Sequence, residues 1–359
     1  IMRKLDLYIS KKFITTFFMA LLLIIGIVII FDISEKVDYF VKNEAPIKAI
    51  ALDYYVNFVP YFINMFSPLF VFITVIFFTS RMAANSEFIA MLSGGVSYVR
   101  ILVPYVGCAI LIAALSLCLN LYVIPRSNVT RTAFEEKYIK NKTIRFRNVH
   151  YQIAPGQFVY VESFSRWNNT AYKFTLETIE NNKLKSKLEA DSAVWDSTQQ
   201  CWKLRNWFIR DYATGLEDHI TSGEKKDTVI ELTVTDFYRN EKTVETLPIH
   251  DLNQLIKTQN MRGDANVMFA EIELHNRYAM PFSAIILTIM GVCLSSRKKR
   301  GGIGWNLGIG IALAFTYILF LRFSQMFVYA GTMPASIALW IPNFVFALIT
   351  VFLYTKAQK

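Results

Sequence analysis

Residues 13–31 read FITTFFMALLLIIGIVIIF, nineteen positions without one charged side chain. A helix rises about 1.5 Å per residue, so about 20 apolar residues cross a hydrocarbon core of about 30 Å, and this run has the length of a membrane span. Working outward, comparable runs occupy 54–78 and 101–124 and then, after a long polar interval, 278–294, 305–327 and 337–354. The fold class is therefore a membrane α-helical protein with an inserted all-β domain: six transmembrane helices, three and three, flank it. The expected divisions are 1–125 for spans one to three, 126–265 for the inserted domain and 266–359 for spans four to six. The first run is too long for a cleavable signal peptide and no small-residue cleavage site follows Phe31, so it reads as a retained anchor whose natural start is Met2.

Of all residues 53% are hydrophobic and 18% charged. The charge is unevenly placed, because 126–264 holds 21 Lys or Arg and 19 Asp or Glu. That stretch supplies only +2 of the net charge of +10 and has no basic stripe interleaved with aromatics, which argues against a nucleic-acid partner. The clusters of positive charge outside that stretch sit beside the spans: Arg3, Lys4, Lys11 and Lys12 before the first, Arg81 and Arg100 between the second and third, Arg297-Lys298-Lys299-Arg300 between the fourth and fifth, and Lys356 and Lys359 at the end. All fall on one side, which should be cytoplasmic and include both termini; the inserted domain then lies on the other side.

Within the inserted domain, short alternating segments predict strands at 151–154, 158–163, 171–180, 188–195, 202–212 and 229–234. Turns are expected at Pro155-Gly156, Asn168-Asn169, Asn181-Asn182, 196–200 and Ser222-Gly223. This spacing suits an antiparallel sandwich, jelly roll or open barrel. Trp195, Trp202 and Trp207 either pack its core or line a groove for a lipid tail. Cys201 is the domain's single cysteine, so no disulfide closes there, and His150, His219, His250 and His275 are scattered without metal-site spacing. Neither a nucleophile elbow nor a phosphate loop occurs, so this chain is expected neither to catalyse nor to hold a cofactor.

The connection between spans two and three, RMAANSEFIAMLSGG at 81–95, carries the most information. Asn85 or Ser86 can cap a short helix, Glu87 suits its positive end and Gly94-Gly95 can end it. Phe88, Met91 and Leu92 recur at helical spacing as one apolar face, able to dock in a partner's groove or to lie in the membrane interface. Pro60, Pro68, Pro104, Pro281 and Pro342 read as tolerated kinks, and Gly304, Gly308 and Gly310 as points of close helix contact.

Asp6-Leu7-Tyr8-Ile9, the helix from Asn85-Ser86-Glu87 to Ser93-Gly94, Pro125 closing span three, Met280-Pro281-Phe282 opening span four and Gly331 to Pro334 before span six together resemble the LptF/LptG lipopolysaccharide-export permeases, over nearly the whole chain. The resemblance implies a half-transporter of an ABC exporter in a Gram-negative inner membrane, pairing with an LptF or LptG half. ATP and Mg would be bound by a cytoplasmic LptB-like ATPase dimer that meets the permease at a coupling helix. By position, the coupling residues would be Ser86, Glu87, Phe88, Met91, Leu92 and Gly94. Lipopolysaccharide would pass to an LptC-like periplasmic jellyroll protein, and spans one and five would line the cavity and its lateral gate. The sequence departs from the LptG pattern at Asp32, where a lysine is expected and Lys36 follows one turn later.

Lipopolysaccharide carries phosphates and acyl tails, which call for cations above an apolar cavity. Lys36, Arg126, Arg131 and Arg322 are the rim candidates, each also able to snorkel toward lipid headgroups. Arg322 follows Trp305 by 17 residues, about 26 Å along a straight helix, and so falls near the outer interface. Two other classes fit the topology: a receptor or envelope-assembly factor with an extracytoplasmic β-sandwich sensor, and a lipid transferase with acids or histidines clustered at one membrane face.

Overall fold

The computed structural model of the chain describes residues 2–139, 145–165, 167–212, 218–230, 232–237, 241–263, 266–297 and 302–357. Lys298, Lys299, Arg300 and Lys359 of the basic clusters lie outside the described residues. In chain order the principal elements are α1 (Met2–Lys42), α2 (Val56–Ala84), α3 (Glu87–Ser93), α4 (Tyr98–Cys118) and α5 (Ile124–Tyr138). Six strands follow: β1 (Arg145–Ala154), β2 (Gln157–Ser165), β3 (Thr170–Glu180), β4 (Lys183–Asp196), β5 (Cys201–Asp211) and β6 (His219–Thr228). Then come α6 (Val234–Phe237), α7 (Ile249–Arg262), α8 (Val267–Ser295), α9 (Gly302–Tyr329) and α10 (Ile341–Ala357). Two compact units result. One takes residues up to Tyr138, Glu245–Ile249 and Glu271 onward, and the other takes 139–244 with His250–Ala270.

Among the described residues six helices are long and apolar enough to cross a membrane, at the six expected places. They outrun the predicted spans because helix continues past the apolar stretch into charged ends, as in α1, which begins before Lys4 and ends at Lys42. Pro125 does not close span three. A π-helical turn at Leu119–Val123 leads straight into α5, with Pro125 at the second position of that helix. The wider π turn re-spaces the carbonyls around the missing N–H, so the helix survives its proline.

The helical core interleaves α1, α2, α4 and α8 through Phe13, Val75, Phe78, Ile101, Tyr105 and Val292, and the rings of Phe78 and Tyr105 stack at 5.3 Å. Lipid offers no hydrophobic drive between helices, so close packing and interhelical hydrogen bonds must hold them. Ser116 donates to Asn64 Oδ1 at 2.6 Å, Asn64 to Asn120 Oδ1 at 2.7 Å, and Asn306 to Ser80 Oγ at 3.1 Å, all buried. Of the three glycines in span five, only Gly310 meets a neighbour: a Cβ there would run into Ile76 of α2, whereas Gly304 and Gly308 face open space.

The β unit is one six-stranded antiparallel sheet in the order β1-β2-β3-β4-β5-β6. The inserted antiparallel domain is present, but its described strands form a meander rather than the crossing connections of a jelly roll. Gly156 and Asn181-Asn182 sit in hairpin turns too short to carry a crossover. The sixth strand is His219–Thr228, not 229–234, and Ser222-Gly223 lies inside it instead of forming a turn. That strand is an exposed edge with few apolar residues, so hydrophobic alternation could not reveal it. Gly223 is opposite Trp207, whose indole a Cβ would meet at 3.1 Å.

A crease crosses this sheet. Asn148, Lys173 and Asn206, at one level of β1, β3 and β5, have φ of 53°, 49° and 49°. Glu162, Asp191 and Glu224 occupy the same level on β2, β4 and β6, between paired positions on either side. Alternation slips by one residue there: β2 buries Val159 and Val161 and then Phe164, and β4 buries Leu188 and Ala190 and then Ala193. A sheet that bends while keeping one apolar layer covered has to make such a slip.

Candidate functional site

The clearest constellation gathers around α3. Ser86, with φ of 63°, turns the chain sharply between α2 and α3; its hydroxyl makes no capping hydrogen bond, so the expected side-chain cap is absent. The C-terminal stop works as its glycines suggest. Gly95 N–H donates to Leu92 O at 3.0 Å and Val96 N–H to Met91 O at 3.1 Å, the two bonds of a Schellman motif, with Gly95 at φ of 83°.

Phe88, Met91 and Leu92 do not form one outward face. Phe88 is 1% exposed and packs on Tyr98 at 5.9 Å, and Met91 leans on the same helical core. Leu92 is exposed, and its exposed partner one turn away is Ile89, which spacing alone did not single out. The helix is anchored by one apolar edge and shows another.

Glu87 also faces inward. Tyr8 Oη donates to Glu87 Oε2 at 3.0 Å, Lys12 Nζ lies 3.5 Å from the same oxygen and donates to Tyr8 Oη at 2.7 Å, and Asn85 Nδ2 donates to Glu87 Oε1 at 3.3 Å. Partial burial pushes the Glu87 carboxyl up, yet the Tyr8 and Asn85 hydrogen bonds and the Lys12 charge outweigh it and hold the group below its ordinary value. Asp6 pairs with Arg100 Nη2 at 2.5 Å, and Ile9 is fully buried. The Asp6-Leu7-Tyr8-Ile9 segment is thus the seat on which the 85–100 connection rests.

The four rim cations occupy unlike settings. Lys36 binds Asp32 and Tyr54, Tyr55 Oη donates to Asp32 Oδ2 at 3.1 Å, and the Lys36 ammonium lies 4.9 Å from the Tyr54 ring centre. Arg131 is 5% exposed, between Glu135 at 3.6 Å and Glu245 at 3.7 Å and over the Tyr61 ring at 4.3 Å. Phe134, one turn beyond Arg131, packs on Tyr54 at 5.4 Å, so Lys36 and Arg131 border one aromatic cluster. Arg126 and Arg322 are exposed, and Arg322 Nη1 donates to Gln325 Oε1 at 3.1 Å. Sequence reasoning missed Arg277, 2% exposed, which donates to Glu273 Oε1 at 2.7 Å and to Leu247 O at 2.9 Å.

In the β unit Trp202 is wholly buried and donates to Leu232 O at 2.7 Å. Phe237 of α6 stacks on Phe164 at 4.4 Å. These tryptophan-centred contacts are core packing: the apolar face is covered by the chain's own 232–237 segment. Among the described residues no group of three or more His, Cys, Asp or Glu could hold a metal ion.

Against known families, the chain matches the family described as lipopolysaccharide export system permease LptF/LptG over residues 7–356. No curated protein matches it.

Proposed function

We propose, because the chain belongs to the LptF/LptG family of lipopolysaccharide export permeases, that it is the membrane half of an ATP-driven exporter whose ATPase is a separate cytoplasmic partner. The family match across nearly the whole chain carries this reading. In this arrangement the basic connections face the cytoplasm, the β unit stands in the periplasm, and the glycolipid leaves the outer leaflet of the inner membrane for periplasmic jellyroll partners.

The anchoring of α3 supports a coupling role. A docking helix must be stiff toward its own bundle and apolar toward its partner, and α3 meets both demands through Phe88 with Glu87 and through Ile89 with Leu92. Ser86 and Gly94 set its two ends. Spans one and five, which would line the cavity, are the two whose apolar windows this chain covers least. On the rim, Arg126 and Arg322 are the cations open to a phosphate, whereas Lys36 would have to exchange Asp32 for it.

A pull-down from native membranes, with both bound lipid and proteins identified, tests the reading. Lipopolysaccharide, a second permease half and an ABC ATPase are expected; recovery of a signalling protein without ATPase or glycolipid would refute it.

A further inference from the structure

The face of the sheet away from Val161 and Leu188 carries a basin of about 810 Å³. Its floor is a row running across five strands, with His150 beside Tyr160, Tyr160 beside Thr175, Thr175 beside Glu189 and Glu189 beside Phe208. The crease residues Lys173, Asp191 and Asn206 line one side, and Phe158, Glu177 and Lys187 line the other. This concavity is built into the backbone, since the bend across the sheet falls along that first side.

The chemistry of the lining narrows the occupant. Lys187 lies 2.8 Å from Glu189 and 3.5 Å from Glu177, and Lys173 lies 3.0 Å from Glu162, so neither lysine offers an uncompensated charge to a phosphate. The carboxylates of Glu177, Glu189 and Asp191 and the amide of Asn206 around the basin make it a poor place for an acyl chain, whose burial leaves such groups without partners. What remains is a surface of aromatic rings, with Phe158 and Phe208 partly open, beside carboxylates and the amide of Asn206. Sugar rings match both features, because their C–H faces rest on aromatic rings while their hydroxyls donate to carboxylate and amide oxygens.

We infer that this basin binds the saccharide part of the exported glycolipid, on the opposite face of the sheet from the apolar layer. The inference rests on the export reading for the kind of cargo, and on the basin alone for the site. It assigns the sugar a contact of its own, separate from the acyl tails and phosphates.

The test uses the full-length protein in nanodiscs, titrated with core oligosaccharide freed of lipid by mild acid and observed by saturation-transfer NMR. Phe208→Ala should weaken binding about tenfold, the loss of one stacking contact, with Glu189→Gln weaker than wild type by a smaller factor. Both positions are accessible, and matching thermal unfolding curves will establish that the variants fold. No oligosaccharide binding to wild type, or equal binding by wild type and both variants, would overturn the inference. So would unchanged sugar binding in a variant that loses a protein partner, which would make the basin a protein-docking surface. If whole lipopolysaccharide still copurifies with wild type and variants, the export reading survives that failure; if none copurifies with wild type, the export reading fails whatever the basin binds.

Discussion

Near each end of helix α1 a lysine and a carboxylate meet a tyrosine hydroxyl, a trio put to different purposes at the two ends. Near its start, Lys12 and Tyr8 hold Glu87, a carboxylate 75 and 79 residues away in sequence. Near its end, Lys36 holds Asp32, a carboxylate one turn back on the same helix, with Tyr54 and Tyr55 closing over the pair. The first trio joins two elements. The second neutralises a charge within one element and seats the turn before α2 against it. A lysine at a span end therefore says little until the position of its carboxylate is known.

The comparison can be broken most forcefully at the apolar anchor beside the first trio. Phe88→Ala should cost about 3 kcal/mol by opening a cavity under α3, and should release the helix while leaving the Lys36 trio intact. A fall in the thermal midpoint, with new protease sensitivity confined to 85–97, would be the signature; an unchanged midpoint would show that Phe88 is not the anchor.

Next comes the second trio. Asp32→Ala leaves Lys36 without its carboxylate, and because the side chains stay 21% and 12% exposed the cost should be about 2 kcal/mol, below that of breaking a fully enclosed pair. Restored stability in the Asp32→Ala, Lys36→Met double variant would confirm that the loss comes from the orphaned charge. If Lys36→Ala alone abolished glycolipid copurification at unchanged stability, the lysine would instead be a substrate contact.

The smallest effect is electrostatic. Glu87 is lowered from its ordinary value, so its contribution is present above the unfolded carboxylate range and is lost as pH falls through the folded value. Glu87→Gln should destabilise by about 0.5 kcal/mol at neutral pH, since the pair is partly solvated, and the gap between variant and wild-type midpoints should narrow as pH falls below the ordinary carboxylate range. A gap independent of pH would remove the charge from the account.

Much of the fold was legible because lipid demands long unbroken apolar runs, and 13–31 meets that demand without ambiguity. Helix ends were not, since Pro125 reads as a stop until the π turn ahead of it is known. Five strands announced themselves by alternation, while β6, a polar edge, could not. The crease left a faint trace in the spacing of Val159, Val161 and Phe164, a slip that one strand alone cannot distinguish from noise. In the α3 site, Gly94-Gly95 and the position of Glu87 were readable from local chemistry. The inward turn of Glu87 and Phe88 was not, because its cause lies in Tyr8, Lys12 and Tyr98 on other helices. Arg131 illustrates the same limit: it reads as a rim cation, yet Glu245, more than a hundred residues on, helps hold it inside.

Helix α3 grips its own bundle through Phe88 and exposes Ile89 and Leu92, the edge we propose an ATPase to meet. A photoreactive amino acid at Leu92, activated in native membranes, tests it most directly. Crosslinks to a cytoplasmic ABC ATPase are predicted, with Ile89 giving the same product; crosslinks from both positions to lipid alone would place the helix in the membrane interface and contradict the account.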